Sequence, residues 1–199
     1  MATFAFPSIT PATNTFELVS NTRTYQSPLT NAVQTASRKG SLWKASLQFN
    51  NLSGDDRKVM QAFLVKLNGQ QHRFTLQDHS HTLRGAGGGN LVVNGASQSG
   101  TTLVCDGATA NVNNYLREGD YVSFNNELHM VVADTNSDGS GNVSIAIAPP
   151  IRKSPPDDTI VDYTAPVQGV FMLAGPASWD TQLGIISSFT IEAVEDVLA

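Results

Sequence analysis

Residues 41–81, SLWKASLQFNNLSGDDRKVMQAFLVKLNGQQHRFTLQDHSH, decide the fold, because they hold the one convincing helical spacing in the chain and set it between two strand patterns. Over residues 42–49, Trp43, Ala45, Leu47 and Phe49 alternate with Lys44, Ser46 and Gln48, the two-residue period of a half-buried strand. Asn50 and Asn51 are expected to break it. Ser53 stands at an N-cap position with Asp56 three residues on, and Asp55 and Asp56 lie where the positive end of a helix dipole favours carboxylates. Val59, Met60, Phe63, Leu64 and Leu67 recur at three- and four-residue spacing, which gives one apolar stripe with Arg57, Lys58, Gln61 and Lys66 turned away. Asn68-Gly69 predicts a left-handed end to that helix. Residues 72–77 read as a second strand, closed by the polar run Asp78, His79, Ser80, His81.

Outside this unit the pattern is β. Phe4-Ala5-Phe6, residues 15–19 and residues 22–25 read as short strands or an extended arm between Pro and Asn turns, followed by residues 32–35 and an exposed turn at Arg38-Lys39-Gly40. Arg84-Gly85-Ala86-Gly87-Gly88-Gly89 reads as a linker and a domain boundary. A phosphate cradle is disfavoured there, because a helix should follow the glycines and Leu91-Val92-Val93 reads as a strand. Residues 91–93, 101–105, 121–124, 128–133, 143–148 and 159–161 are strand-like, with turns at Asn94-Gly95, Asp106-Gly107, Glu118-Gly119-Asp120 and Asn125-Asn126, which suggests a small barrel or sandwich. Pro149-Pro150 and Pro155-Pro156 stiffen the way out of it. Residues 169–173 and 185–193 return to strands, with Ile185, Phe189, Ile191 and Ala193 on one face and Trp179 in a loop between them. The expected fold class is mainly β: residues 1–83 and 164–199 form one β domain with one α-helix, interrupted by a small β-barrel over residues 84–163.

Composition narrows the function classes. Charged residues are 15% of the chain, against about a quarter in an average domain, while 18 Ser, 18 Thr and 15 Asn supply uncharged polarity. Such a surface suits a β protein and suits packing against copies of itself, where buried charge is costly. The net charge is -5, and residues 84–163 carry all of it, with four Lys/Arg against nine Asp/Glu. No Lys or Arg follows Lys153, so a basic face for sequence-specific nucleic-acid binding is not expected. The lone Cys105 excludes an intramolecular disulfide and reads as a small buried hydrophobe. The first residues lack the features of a signal peptide, and no apolar run approaches the ~20 residues of a membrane span, so synthesis and folding in a cytoplasm are expected.

Three clusters hold residues with chemical potential. Asp134-Thr135-Asn136-Ser137-Asp138-Gly139 copies the start of a calcium loop, but Ile145 stands where a bidentate Glu belongs, and a hairpin turn explains the same residues. His72, Asp78, His79 and His81 are the densest metal-capable group; no third ligand is specified beyond the His79–His81 pair, and a polar strand end accounts for them. Gly95-Ala96-Ser97-Gln98-Ser99 lacks the last Gly of a nucleophile elbow, and Cys105 has no His at suggestive spacing. No catalytic, cofactor-binding or metal-ligating residue is therefore assigned, and an enzyme is not expected.

Several motifs carry a resemblance. Phe4 to Phe6 with its Thr/Ser-rich arm, Trp43-Lys44-Ala45-Ser46-Leu47-Gln48-Phe49, Leu52-Ser53-Gly54-Asp55-Asp56, Leu67-Asn68-Gly69-Gln70-Gln71-His72-Arg73-Phe74, Leu116-Arg117-Glu118-Gly119-Asp120-Tyr121-Val122 and Ala148-Pro149-Pro150-Ile151-Arg152 resemble distal tail proteins of long-tailed, siphophage-like bacteriophages. The resemblance spans nearly the whole chain. It implies a virion protein made in the host cytoplasm and located at the distal end of the tail. There it would form a homo-hexameric ring that joins the tail tube protein to the tail-tip or hub proteins of the baseplate and leaves a channel for DNA. It also implies a β-barrel-like ring domain with one helix, and a peripheral inserted domain of oligonucleotide/oligosaccharide-binding or galectin-like shape. The alternative is a tail-associated adhesion module whose insert binds host-surface sugar, which exposed Tyr115, Tyr121 or Tyr163 would favour. A tail enzyme is a third reading, detectable by cell-wall degradation.

Overall fold

Alternating burial along two long strands builds the larger sheet. The computed structural model describes residues 1–37, 40–164, 167–182 and 186–197. Its elements are β1 (Thr3–Ala5), β2 (Thr13–Val19), β3 (Thr22–Gln26), β4 (Val33–Ser37), β5 (Leu42–Leu52), α1 (Gly54–Leu67), β6 (Arg73–Gln77), β7 (Gly89–Val93), β8 (Gly100–Ala108), β9 (Tyr121–Phe124), β10 (Glu127–Val131), β11 (Val143–Ile151), β12 (Gln168–Leu173), β13 (Ser178–Gln182) and β14 (Ile186–Glu195). The protein is mainly β with one helix among the described residues. The larger sheet runs β1-β6-β12-β14-β5-β2, with β13 added to β14; β1 pairs β6 in parallel and the other pairings are antiparallel. Trp43, Ala45, Leu47 and Phe49 on β5 are buried on the same side as Phe189, Ile191 and Ala193 on β14.

The helix is packed onto that face through Met60, Phe63, Leu64 and Leu67. Phe6 sits among three rings, with centroids 6.1 Å from Phe49, 5.2 Å from Phe63 and 5.8 Å from Phe74, the spacing at which aromatic pairs attract. Asn68 ends the helix in the left-handed region (φ 48°), where its N–H bonds the Val65 carbonyl. Other local expectations are corrected. Val59 is 49% exposed, because it lies about 100° round the helix from Met60, outside the buried stripe. Ser53 is the N-cap residue, but its side chain makes no capping bond. Asn50 and Asn51 lie within β5; Asn51 takes φ 58°, and the register against β14 shifts between Ser187 and Phe189, so the asparagines mark a bulge. Trp179 belongs to β13, where it pairs with Phe189, and not to a loop. Arg38, Lys39 and Ile185 lie outside the described residues.

The smaller sheet runs β7-β8-β11-β10-β9, antiparallel throughout. Residues 159–161, expected as a sixth strand, make only isolated bridges: Val92 with Ile160 on one edge, and the neighbouring Asp162 with Ser123 on the other. That segment therefore spans from β7 to β9 and curls the sheet towards closure. Pro149 and Pro150 fall inside β11, where the pairing with β8 shifts register between Ala146 and Ile151; a residue without an N–H is tolerated at such an irregularity. The core of this sheet includes Leu91, Leu103, Cys105, Tyr115, Val122 and Ile145. Cys105 is buried as expected, and burial pushes its thiol up to about 12. No helix among the described residues is long and apolar enough to cross a membrane.

Phe74 is fully buried between Phe6 and Phe63. Phe74→Ala is expected to cost roughly 3–5 kcal/mol in a urea unfolding titration, whereas Val65→Ala on the exposed helix face should stay within about 0.5 kcal/mol.

Candidate functional site

The sequence clusters fold into structural roles. In the Asp134 loop, Asp138 Oδ1 accepts the N–H groups of Ser140 and Asn142, both at 2.8 Å, which holds its carboxyl below the ordinary range through bonds led by Asn142. Asp134 Oδ1 accepts the Glu118 N–H at 2.9 Å, and Asn136 Oδ1 that of Asn114 at 2.7 Å. These side chains thus fix the turns of the loop. The His cluster is spread out as well. His72 accepts the Ala2 N–H, His79 stands 6.3 Å from the Phe6 ring with burial lowering its pKa, and His81 meets Tyr121 edge-on at 5.0 Å. Asp78 bonds Asn14, Ser80 and Tyr121. Among the described residues no group of three metal-capable side chains converges. Gln98 stitches its loop to β8 through the Val104 N–H and carbonyl, so the 95–99 segment is a hairpin connection.

The glycine run is not a free linker. Gly85 and Arg84 donate backbone N–H groups to the buried Asp120 carboxylate, Ala86 donates to the Asn114 carbonyl, Gly87 to that of Tyr115, and Gly88 to the Tyr163 hydroxyl. A Cβ at Gly85 would stand 2.3 Å from the Tyr115 carbonyl, so close packing of two backbones is what requires glycine here. With the N–H groups of residues 84–88 engaged in this way, they are not free to form a phosphate nest. Tyr115, Tyr121 and Tyr163, which the adhesion reading needs on the surface, are 0%, 5% and 5% exposed.

Sequence reasoning missed the cluster that joins the two sheets. Arg152, one residue past β11, sends Nη1 and Nη2 to the two Glu195 carboxylate oxygens at 2.9 and 2.6 Å, and Nη1 also to the Ser41 carbonyl at 2.8 Å. The same Glu195 oxygens accept the backbone N–H of Trp43 at 3.1 Å and of Leu128 at 3.0 Å. Trp43 returns its indole N–H to the Leu128 carbonyl at 2.8 Å. One buried carboxylate thereby ties β14, β5, β10 and the end of β11. Behind it, Glu127 accepts the N–H groups of Arg152 and Lys153 and stands 3.2 Å from His129 Nε2. Burial by itself would raise the Glu127 pKa, but the bonds from His129 and Arg152 outweigh it and hold the carboxyl below its ordinary range. Tyr121 and Leu128 also enter the larger sheet's core, and at Gly169 a Cβ would lie 2.9 Å from Leu128 Cβ, so the sheets meet too closely for a side chain there.

A second feature projects away from both cores. β3 and β4 pair only with each other, from Thr22 opposite Ser37 to Gln26 opposite Val33, and β3 is exposed along its whole length. The tip is nevertheless ordered: Ser27 exchanges backbone bonds with Asn31 and Ala32, and its hydroxyl faces the N–H groups of Leu29 and Thr30. Leu29 is 94% exposed at that tip, with Val33 at 60% and Tyr25 at 54% beside it. Arg23 is the one charged residue between 22 and 37.

Comparison with protein-family models gives no match for this chain, and comparison with curated proteins gives none either.

Removing the Arg152 guanidinium deprives the buried Glu195 carboxylate of its ion-pair partner. Arg152→Met is expected to cost about 3–5 kcal/mol in chemical denaturation. The acid limb gives a second check. Because the folded Glu127 pKa is depressed, its stabilisation is complete above the unfolded carboxyl's ordinary value and is lost as pH falls through the folded one. Below about pH 4.3 the wild-type unfolding free energy should therefore drop more steeply with pH than that of Glu127→Gln, measured by urea titration at a series of pH values.

Proposed function

We propose that this chain is a structural tail protein of a long-tailed bacteriophage, assembling as a ring at the distal end of the tail tube and joining the tube to the tail tip or baseplate. The reading rests on the resemblance in its motifs, and the observation that carries it furthest is the β3–β4 hairpin. An isolated two-stranded hairpin is marginal in water, and one with a nearly fully exposed leucine at a fixed tip and a single charge along its length is suited to lie on another copy of the chain. The clamp around Glu195 supports the same role, since a part that passes force from tip to tube needs its two β units held in one orientation. In this arrangement the larger sheet and hairpin make subunit contacts, the acidic insert is peripheral, and DNA passes through the centre without sequence-specific contact.

Burial of all three insert tyrosines removes the aromatic platform that an adhesion module would use, so the adaptor is preferred to sugar binding as the primary function. Light scattering of the purified protein should give a mass near six times 21.2 kDa, with a central hole visible by negative-stain electron microscopy. Leu29→Asp should reduce that mass to the protomer's while leaving the far-UV circular dichroism spectrum of the protomer unchanged, because Leu29 is 94% exposed and touches no core. A persistent monomer that also fails to join tail-tube or tip proteins would overturn the proposal.

A further inference from the structure

The ribbon of β3 and β4 and the strand β13 belong to opposite ends of the larger sheet. The ribbon grows from the end where Val19 pairs with Leu42, and Arg152 Nη1 fixes its root by holding the Ser41 carbonyl at 2.8 Å. β13 runs along residues 186–190 of β14, whose other neighbour there is the far end of β5, residues 48–52. At about 3.4 Å per residue, roughly 20 Å of strand separates the two features, so within one chain they do not meet.

β13 is an open edge. Among the described residues its backbone pairs only with β14, all five of its residues are exposed, and it holds no Lys or Pro of the kind that guards an edge. Trp179 stands 6.3 Å from the Phe189 ring and is still 38% exposed, because the core covers one flank of the indole and the open edge leaves the other in water. β3 matches β13 in length and exposure. The charges are complementary as well: residues 20–40 contain Arg23, Arg38 and Lys39 and no Asp or Glu, whereas residues 154–199 contain no Lys or Arg, and Asp180 is the charge on β13. Neither Arg23 nor Asp180 forms an ion pair among the described residues. On β2, another free edge of this sheet, Glu17 already has Lys44 opposite it, whereas Asp180 has Ser188.

We propose that β3 of one copy adds as an antiparallel strand to the free edge of β13 in the next copy, with Arg23 opposite Asp180. This rests on the reading that copies of the chain assemble, and it names the surface that receives the ribbon. Main-chain bonds along a sheet edge supply the affinity in such additions, and the side-chain pairs supply the choice of partner. In this register Thr24 stands opposite Trp179, a β-branched residue against an aromatic one, and Thr22 opposite Thr181. The tip of the ribbon is carried to the turn at residues 175–177, where Pro176, Ala177, Thr190 and Glu192 border a cleft of about 250 Å³, and the exposed Leu29 comes to lie beside it. Because the ribbon and its receiving edge are different parts of the chain, the contact is head-to-tail, the kind that closes into a ring when the rotation permits.

The test is disulfide trapping between two full-length variants, Thr22→Cys and Thr181→Cys, mixed in equal amounts with diamide as oxidant; the native Cys105 is buried. Mass spectrometry should show a linked dimer with one chain of each kind, in excess of the two like-with-like dimers. Adding Arg23→Asp to the first variant should lower its yield at least about fivefold, and adding Asp180→Arg to the second should restore it, with far-UV circular dichroism checking each fold. Mixed dimers no more abundant than like-with-like ones, or a yield indifferent to both charge changes, would overturn the assignment. Light scattering separates the two levels: a hexamer mass without the mixed link overturns this contact and leaves the ring standing, whereas a charge-dependent mixed link in a protein of protomer mass supports the contact and counts against a stable ring.

Discussion

A carboxylate with 1% exposure, Glu195, is the constraint on which the arrangement of the two sheets depends. Taking a charge out of water costs several kcal/mol unless a partner and hydrogen bonds replace its hydration. Those replacements come from different parts of the chain: the Arg152 fork, the Trp43 N–H and the Leu128 N–H. None can be withdrawn without stranding the others. The insert is therefore held to the larger sheet by directional bonds as well as by the apolar contacts of Tyr121 and Leu128, and the two β units have one favoured orientation.

Rigidity in one place sharpens the contrast with another. Both cores close on themselves, yet the β3–β4 hairpin leaves its apolar tip residues in water, and Leu29 gains nothing from the fold that carries it. Under the proposed assembly, this projecting, nearly uncharged ribbon on a rigid body would be the part that meets another copy of the chain. The low charge of the whole chain fits the same picture, since surfaces buried between subunits favour uncharged polar groups.

Local physics was legible in the sequence, and long-range chemistry was not. The alternation over Trp43, Ala45, Leu47 and Phe49, the helix at three- and four-residue spacing, and the left-handed end at Asn68 each follow from neighbours within a few residues, and the structure contains all of them. The clamp joins Arg152 to Glu195 across 43 positions, and neither residue has any local pattern that marks it. The glycine run shows the same limit: it reads as a linker and does pass from the larger sheet to the smaller, but the Tyr115 backbone that excludes a side chain at Gly85 lies far along the chain. Trp179 reads as a loop residue because Gly175 and Pro176 precede it, but pairing with β14 makes that segment a strand.

The proposed adaptor role is tested most directly by immunogold electron microscopy of phage particles recovered from cells that carry the gene for this chain, using antibody raised against the purified protein. A ring adaptor gives gold at one site on each particle, the end of the tail farthest from the capsid. Label on the capsid, label distributed along the tube, or particles free of the chain would contradict it.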